Sequence, residues 1–184
     1  METLIFDKTA EVRKNKVELE KKLNVKITIT GRKVDFSGEA IDEYEALNVL
    51  EAINFGFSAK KALILKESDT SFQHINIRKF TRRKNLDDVR ARVIGSEGKT
   101  KRTFEELADC SIVVKGNVVA IIGLASNIDL VVTALTNLIR GSKQANVYNF
   151  LERMNSSKRK LGEDLGLKKS KEEEEEAEDE IDED

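Results

Sequence analysis

Gly31 and Gly38 are matched by Gly116 and Gly123, 85 positions further on, and the same succession of apolar patterns surrounds each pair. Around the first, Val25, Ile27 and Ile29 alternate with Lys26, Thr28 and Thr30, Gly31-Arg32 supplies a turn, and Val34 and Phe36 alternate again before Gly38. A period of two in two short runs joined by a turn specifies a β-hairpin with one buried face. Around the second, Ile112-Val113-Val114 and residues 118–122 flank Gly116-Asn117. A helix precedes each hairpin: residues 11–23, with Val12, Leu19 and Leu23 on one face, and a segment marked by Phe104, Leu107 and Ala108. Another follows each, carrying Ile41, Tyr44, Leu47, Leu50 and Ile53 in the first copy and Ile128, Val131, Val132, Leu135, Leu138 and Ile139 in the second. The period is too long for a stacked solenoid, and 184 residues suffice for two small domains.

The copies differ at their beginnings. The second has an additional strand candidate, His74-Ile75-Asn76-Ile77-Arg78-Lys79-Phe80, and an additional helix in which Asn85 can cap, Asp87 and Asp88 occupy the first turn, and Leu86, Val89, Val93 and Ile94 share a face. Gly95 ends that helix, so the second copy reads β-α-(Gly-Ser-Glu-Gly)-α-β-β-α. Residues 54–71, with Phe55, Phe57, Leu63, Ile64 and Leu65, form a short helical connector. The expected fold class is α+β, with units at 1–57 and 72–141, a connector at 58–71, a helix and basic segment at 142–171, and a tail at 172–184.

That tail sets the charge balance. Eleven of its 13 residues are acidic; without them the chain holds 23 acidic against 32 basic residues, a body near +9 hidden under a net charge of −2. Such a body suits a polyanion. The tail offers only Ala177 and Ile181 for burial, so it is expected to be disordered, either as a solubilising terminus or as a competitor for the basic surface or a partner-binding arm. The longest apolar runs are too short to cross a bilayer, and the Met1-Glu2-Thr3 start lacks a basic segment leading into an apolar one, so neither a membrane span nor a secretory signal is expected. A single cysteine, Cys110, without Cys or His neighbours at ligand spacing, fits a reducing cytoplasmic setting and argues against structural zinc. His74 begins a strand with no Ser, Cys or second His placed to make it catalytic. The chain is therefore expected to be non-enzymatic and to need no cofactor.

The chemistry concentrates in Arg92, Val93, Ile94, Gly95, Ser96, Glu97, Gly98, Lys99, Thr100, Lys101 and Arg102. Two glycines let the backbone turn sharply and leave no Cβ between its peptide groups and a ligand. The next helix aims its unpaired N–H groups at the same space, with Lys99, Lys101 and Arg102 adding mobile charge, so a sugar-phosphate chain fits. Unstacked bases would lie in the adjoining groove against Ile112 and Val114, which makes the expected ligand single-stranded. Gly98-Lys99-Thr100 also resembles the end of a phosphate-binding P-loop, but the first glycine of that pattern would fall at Val93, on a helix rather than after a strand. Basic residues crowd the loop: residues 78–102 hold ten Lys or Arg against three acids, and Arg82, Arg83 and Lys84 are either part of its rim or a solvated turn.

On these residues the chain resembles the two-KH-domain ribosome biogenesis factors of archaea, counterparts of the eukaryotic pre-ribosomal KH protein that partners the small-subunit rRNA endonuclease. The matching pieces are the run from Arg92 to Thr100, Val118-Val119-Ala120-Ile121-Ile122-Gly123, Asn146-Val147-Tyr148-Asn149-Phe150-Leu151-Glu152-Arg153, and Ala52-Ile53-Asn54-Phe55-Gly56-Phe57-Ser58. The resemblance implies two tandem type I KH units and binding near the 3′ end of small-subunit rRNA. It also implies a maturation endonuclease, an rRNA methyltransferase or a translation initiation factor subunit as protein partner. The first unit departs from the pattern, since the stretch around Thr9-Ala10-Glu11-Val12-Arg13 has no glycine. It is expected to be a shortened unit used for packing or protein docking. Val147, Phe150, Leu151 and Met154 share a face of a helix expected to pack back on the second unit, with a partner surface as the alternative. For the whole chain the alternatives are a protein-interaction adaptor on a KH scaffold and a general KH-type mRNA or small-RNA binder.

Overall fold

The computed structural model describes residues 2–164, the last seven by backbone alone. The acidic run 172–184, expected to be disordered, lies outside the described residues. The first half runs β1 (Glu2–Ile5), α1 (Ala10–Lys14), α2 (Lys16–Leu23), β2 (Lys26–Thr30), β3 (Lys33–Ser37) and α3 (Ala40–Phe55). A connector of α4 (Ala59–Ala62) and a 3-10 turn (Leu63–Lys66) follows. The second half is β4 (Thr70–Asn76), a 3-10 turn (Ile77–Lys79), α5 (Asp87–Ile94), a 3-10 turn (Ser96–Gly98), α6 (Lys99–Ala108), β5 (Cys110–Lys115), β6 (Val118–Leu124) and α7 (Ala125–Arg140). One further helix, α8 (Gln144–Asp164), ends the described chain.

Each half builds a three-stranded antiparallel sheet, ordered β1-β3-β2 and β4-β6-β5. The 85-residue offset extends to single atoms. Asn24 and Asp109 end α2 and α6 in the left-handed region that short polar side chains tolerate. Glu20 Oε1 accepts a hydrogen bond from Ile27 N at 2.7 Å, and Glu105 Oε1 from Ile112 N at 2.8 Å. At the first strands the offset is 71 instead: Phe36 faces Glu2, and Ile121 faces Gln73. The first half is thus 14 residues shorter between its first strand and second helix.

Three sequence expectations change here. The strand and helix read as additional in the second half have counterparts in the first, β1 and α1, and the helix expected over 11–23 breaks at Asn15, whose Nδ2 donates to Glu11 O at 2.9 Å. The face expected on α3 also drifts. Ile41 and Tyr44 are 75% and 67% exposed, while Ala46, Val49, Leu50, Ala52 and Ile53 are buried.

Two apolar cores meet on opposite faces of the second sheet. Val119 and Ile121 point into one, with Val89, Val93, Phe104, Ile128, Val131 and Leu135. Ala120 and Ile122 join the other, with Phe6, Leu19, Ile27, Phe36, Leu50 and Phe57. Hence 118–122 is a continuous apolar run, as a strand covered on both faces requires. The layers are sheet, helices, sheet, helices. The join between halves is aromatic: Phe72 of β4 lies 6.4 Å from Phe55 and 6.1 Å from Phe57, both edge-on. Val147 and Leu151 of α8 are buried in the second core, and Tyr148 meets Phe104 edge-on at 6.0 Å.

Candidate nucleic-acid interface

The loop between α5 and α6 is shaped by one close approach. A Cβ on Gly95 would lie 2.2 Å from Thr100 Oγ1 and 2.6 Å from its backbone nitrogen, at φ +77, so only glycine fits. Gly98, also at φ +77, faces open space. Between them Glu97 adopts φ 52, ψ 26. Arg102 Nη2 holds the Glu97 carbonyl at 3.0 Å. Nothing in the structure explains glutamate rather than another residue at that position.

Gly95 N donates to Ala91 O at 2.7 Å and closes α5, and Gly98 N donates to Gly95 O at 3.2 Å. α6 then starts at Lys99 with no side-chain cap, its N-cap being Gly98. Lys99 N donates to Ser96 O and Thr100 N lies buried against Gly95, while no side chain caps the helix, so the positive end of its dipole faces the loop. Ser96, Glu97, Lys99 and Arg102 are exposed, Ile94 is 37% exposed, and Gly95 and Gly98 are half-buried.

Other residues expected to touch a ligand have partners within the fold. Thr100 is 2% exposed, and its Oγ1 accepts from Gln144 Nε2 at 2.8 Å. Arg92 donates through Nη2 to Gly141 O at 3.1 Å and also to Ser142 O, tying α5 to the turn between α7 and α8. Ile112 is 1% exposed and points into the second core, so it backs the groove rather than lining it; Val114, on the same strand face, is half-buried. Lys101 is half-buried and pairs with Glu105 at 3.7 Å. The sequence reading missed Gln144 and its exposed neighbour Lys143, because a contact spanning 44 positions has no local signature.

Cys110 and His74 add no chemistry to this site. Burial, with Glu105 and Asp109 nearby, pushes the Cys110 thiol up to about 12, which keeps it protonated. His74 lies on β4, opposite Ala120, its ring 6.1 Å from that of Phe72. The order β4-β6-β5 puts it on the far edge of the sheet from the strand carrying Ile112. No described helix is long and apolar enough to cross a membrane.

Comparison with known proteins agrees with this geometry. The family described as Eukaryotic type KH-domain (KH-domain type I) matches residues 71–156. A KH domain-containing protein of Methanocaldococcus jannaschii is 31% identical over 91% of this chain and 75% of its own length. The RNA-binding protein pno1 of Dictyostelium discoideum is 30% identical over 73% of this chain, which spans only 60% of that protein. The pre-rRNA-processing protein PNO1 of Chaetomium thermophilum is 29% identical over 71% of this chain and 54% of its own length. Among solved structures, Dim2p of Pyrococcus horikoshii superposes with a TM-score of 0.74 at 32% identity, over 83% of this chain and 98% of that one. The same organism's Dim2p in a complex with a/eIF2alpha and rRNA gives 0.75 at 31% identity, over 85% and 94%. With its uncapped helix behind a Gly-Ser-Glu-Gly turn and this set of relatives, the chain belongs to the KH-domain family of the archaeal Dim2p and eukaryotic PNO1 proteins.

Proposed function

We propose that this protein is a single-stranded RNA-binding factor of small-subunit ribosome biogenesis that binds near the 3′ end of small-subunit rRNA through its second half. One observation carries the reading: the α6 N-terminus, uncapped by any side chain, stands behind a two-glycine turn whose Ser96 and Glu97 are exposed, with exposed Lys99 at its mouth. Phosphate oxygens are the acceptors such a cradle suits. The relatives named for RNA binding and pre-rRNA processing, and the Pyrococcus complex with rRNA, support the same direction. That complex also makes the α subunit of a translation initiation factor the first protein partner to test, beside a maturation endonuclease and an rRNA methyltransferase.

The two halves are read as tandem KH units in which only the second grips RNA. Asn15 stands where the second half has its glycine turn, and Val17, 80% exposed, stands 85 positions before Arg102. An apolar side chain in place of a cation suits a protein surface better than a phosphate, so the first unit is assigned to packing and protein docking. A crystal structure with RNA phosphates against residues 11–13 would remove that assignment.

The test is a binding series with a 3′-terminal small-subunit rRNA fragment, an unrelated single strand and a duplex. The fragment should bind tightest and the duplex weakest; equal affinity for all three sinks the ribosomal reading. Ser96→Asp with Glu97→Asp adds one negative charge at the cradle and should weaken binding by about 10-fold while the fold persists. Unchanged affinity overturns the loop assignment.

A further inference from the structure

We propose that the acidic run 172–184 docks on the cationic rim of the loop at residues 95–98 of its own chain and competes there with RNA, a regulation that rests on the RNA-binding reading above. The two surfaces are complementary. Around the loop Lys99, Arg102 and Lys143 are exposed, and Glu97 is the one acid in the run from Ile94 to Arg102. The run 172–184 carries eleven carboxylates in 13 residues and no cation. RNA and the run therefore present the same chemistry to the rim, a closely spaced row of anions.

The fold supplies the reach. Gln144, at the start of α8, is bonded to Thr100 beneath the loop, and Asn155, further along, donates to Leu107 O near the other end of α6. α8 therefore runs beside α6, away from the loop, and its 21 residues carry the chain about 30 Å off at about 1.5 Å per residue. Residues 165–184 span about 65 Å when extended at about 3.3 Å per residue. The first part of that length covers the return, and the second part of the acidic run arrives at Lys99 and Arg102. Tethering of this kind holds the run at an effective concentration on the order of millimolar at the rim. An RNA must displace it, and salt weakens both contacts.

The test compares the full chain with a full-length variant in which every Glu of 172–184 is changed to Gln and every Asp to Asn. Without RNA, the amide resonances of residues 95–102 should differ between the two proteins at low salt and coincide at high salt. The variant should bind single-stranded RNA about 10-fold tighter at low salt, with the difference vanishing at high salt. Identical loop resonances overturn the proposal, because the run is then paired elsewhere, for instance with Lys168, Lys169 and Lys171. A gain in affinity without any change at the loop also overturns it, as general repulsion would explain the gain. If neither protein binds RNA, the functional reading fails, while the loop resonances still decide whether the run docks.

Discussion

Lys115 Nζ lies 2.6 Å from Asp7 Oδ2, so the β5–β6 turn of the second half is pinned to the stretch between β1 and α1 of the first. The same ammonium donates to Asn54 O at 3.1 Å and sits 5.9 Å over the Phe55 ring. Lys115, with Arg32 further off, holds the Asp7 carboxyl below its ordinary value of 3.8. Asp7 thus gives up its proton more readily when folded than when unfolded. Its contribution to stability is complete above its unfolded value and is lost as pH falls through the lower folded one. Asp7→Asn should lower the Tm at pH 7, and the gap from the parent protein should close on acidification below about pH 4. A gap that is constant down to pH 2 would contradict this linkage.

Gly95→Ala and Gly98→Ala separate packing from backbone strain at the loop. Both place Cβ at φ +77, but only Gly95 meets Thr100. Chemical denaturation should show roughly 3 kcal/mol lost for Gly95→Ala against about 1 kcal/mol for Gly98→Ala. Equal losses would mean that the approach to Thr100 is unimportant.

The two buttressing glutamates allow an internal comparison. Glu105→Ala leaves Ile112 N without its acceptor, and Glu20→Ala does the same to Ile27 N. Each should cost about 1–3 kcal/mol in urea unfolding, and Gln at either position should restore part of the loss. Hydrogen exchange should quicken at the amide concerned, and a protected Ile112 amide in Glu105→Ala would refute the contact.

Lys99 and Ile112, both expected to meet RNA, should behave in opposite ways. Lys99→Ala removes an exposed cation, so stability should hold while RNA affinity falls and the salt slope of binding drops by about 1. Ile112→Ala hollows the second core and should cost about 2–5 kcal/mol of stability. If Ile112→Ala left stability intact and reduced affinity alone, its assignment to the core would fail.

Cys110, with its thiol pushed up to about 12, should resist alkylation. At pH 8 iodoacetamide should modify the native protein at least about 10-fold more slowly than the denatured chain. Equal rates would place the sulfur in solvent.

The sequence by itself determined the duplicated hairpin-helix plan and the position of the two-glycine turn, because both are written in local period and in residues that tolerate special backbone angles. Alternation around Gly31 and Gly116 needs no distant partner to be read, and Gly95 and Gly98 mark a turn wherever they lie. Only the tertiary structure decided which neighbours of that turn face outward. Thr100 and Arg92 read as ligand contacts in the sequence, yet both are held by residues more than 40 positions away, Gln144 and the carbonyls of Gly141 and Ser142. The break of the first helix at Asn15 and the strand at Glu2–Ile5 were equally hidden. A four-residue strand has too few alternations to signal itself, and it forms because β3 offers it a ladder from Lys33 to Phe36. The continuous apolar run in β6 gains its meaning the same way: local pattern says that a strand is buried, and only the packing of one half on the other says that both its faces are.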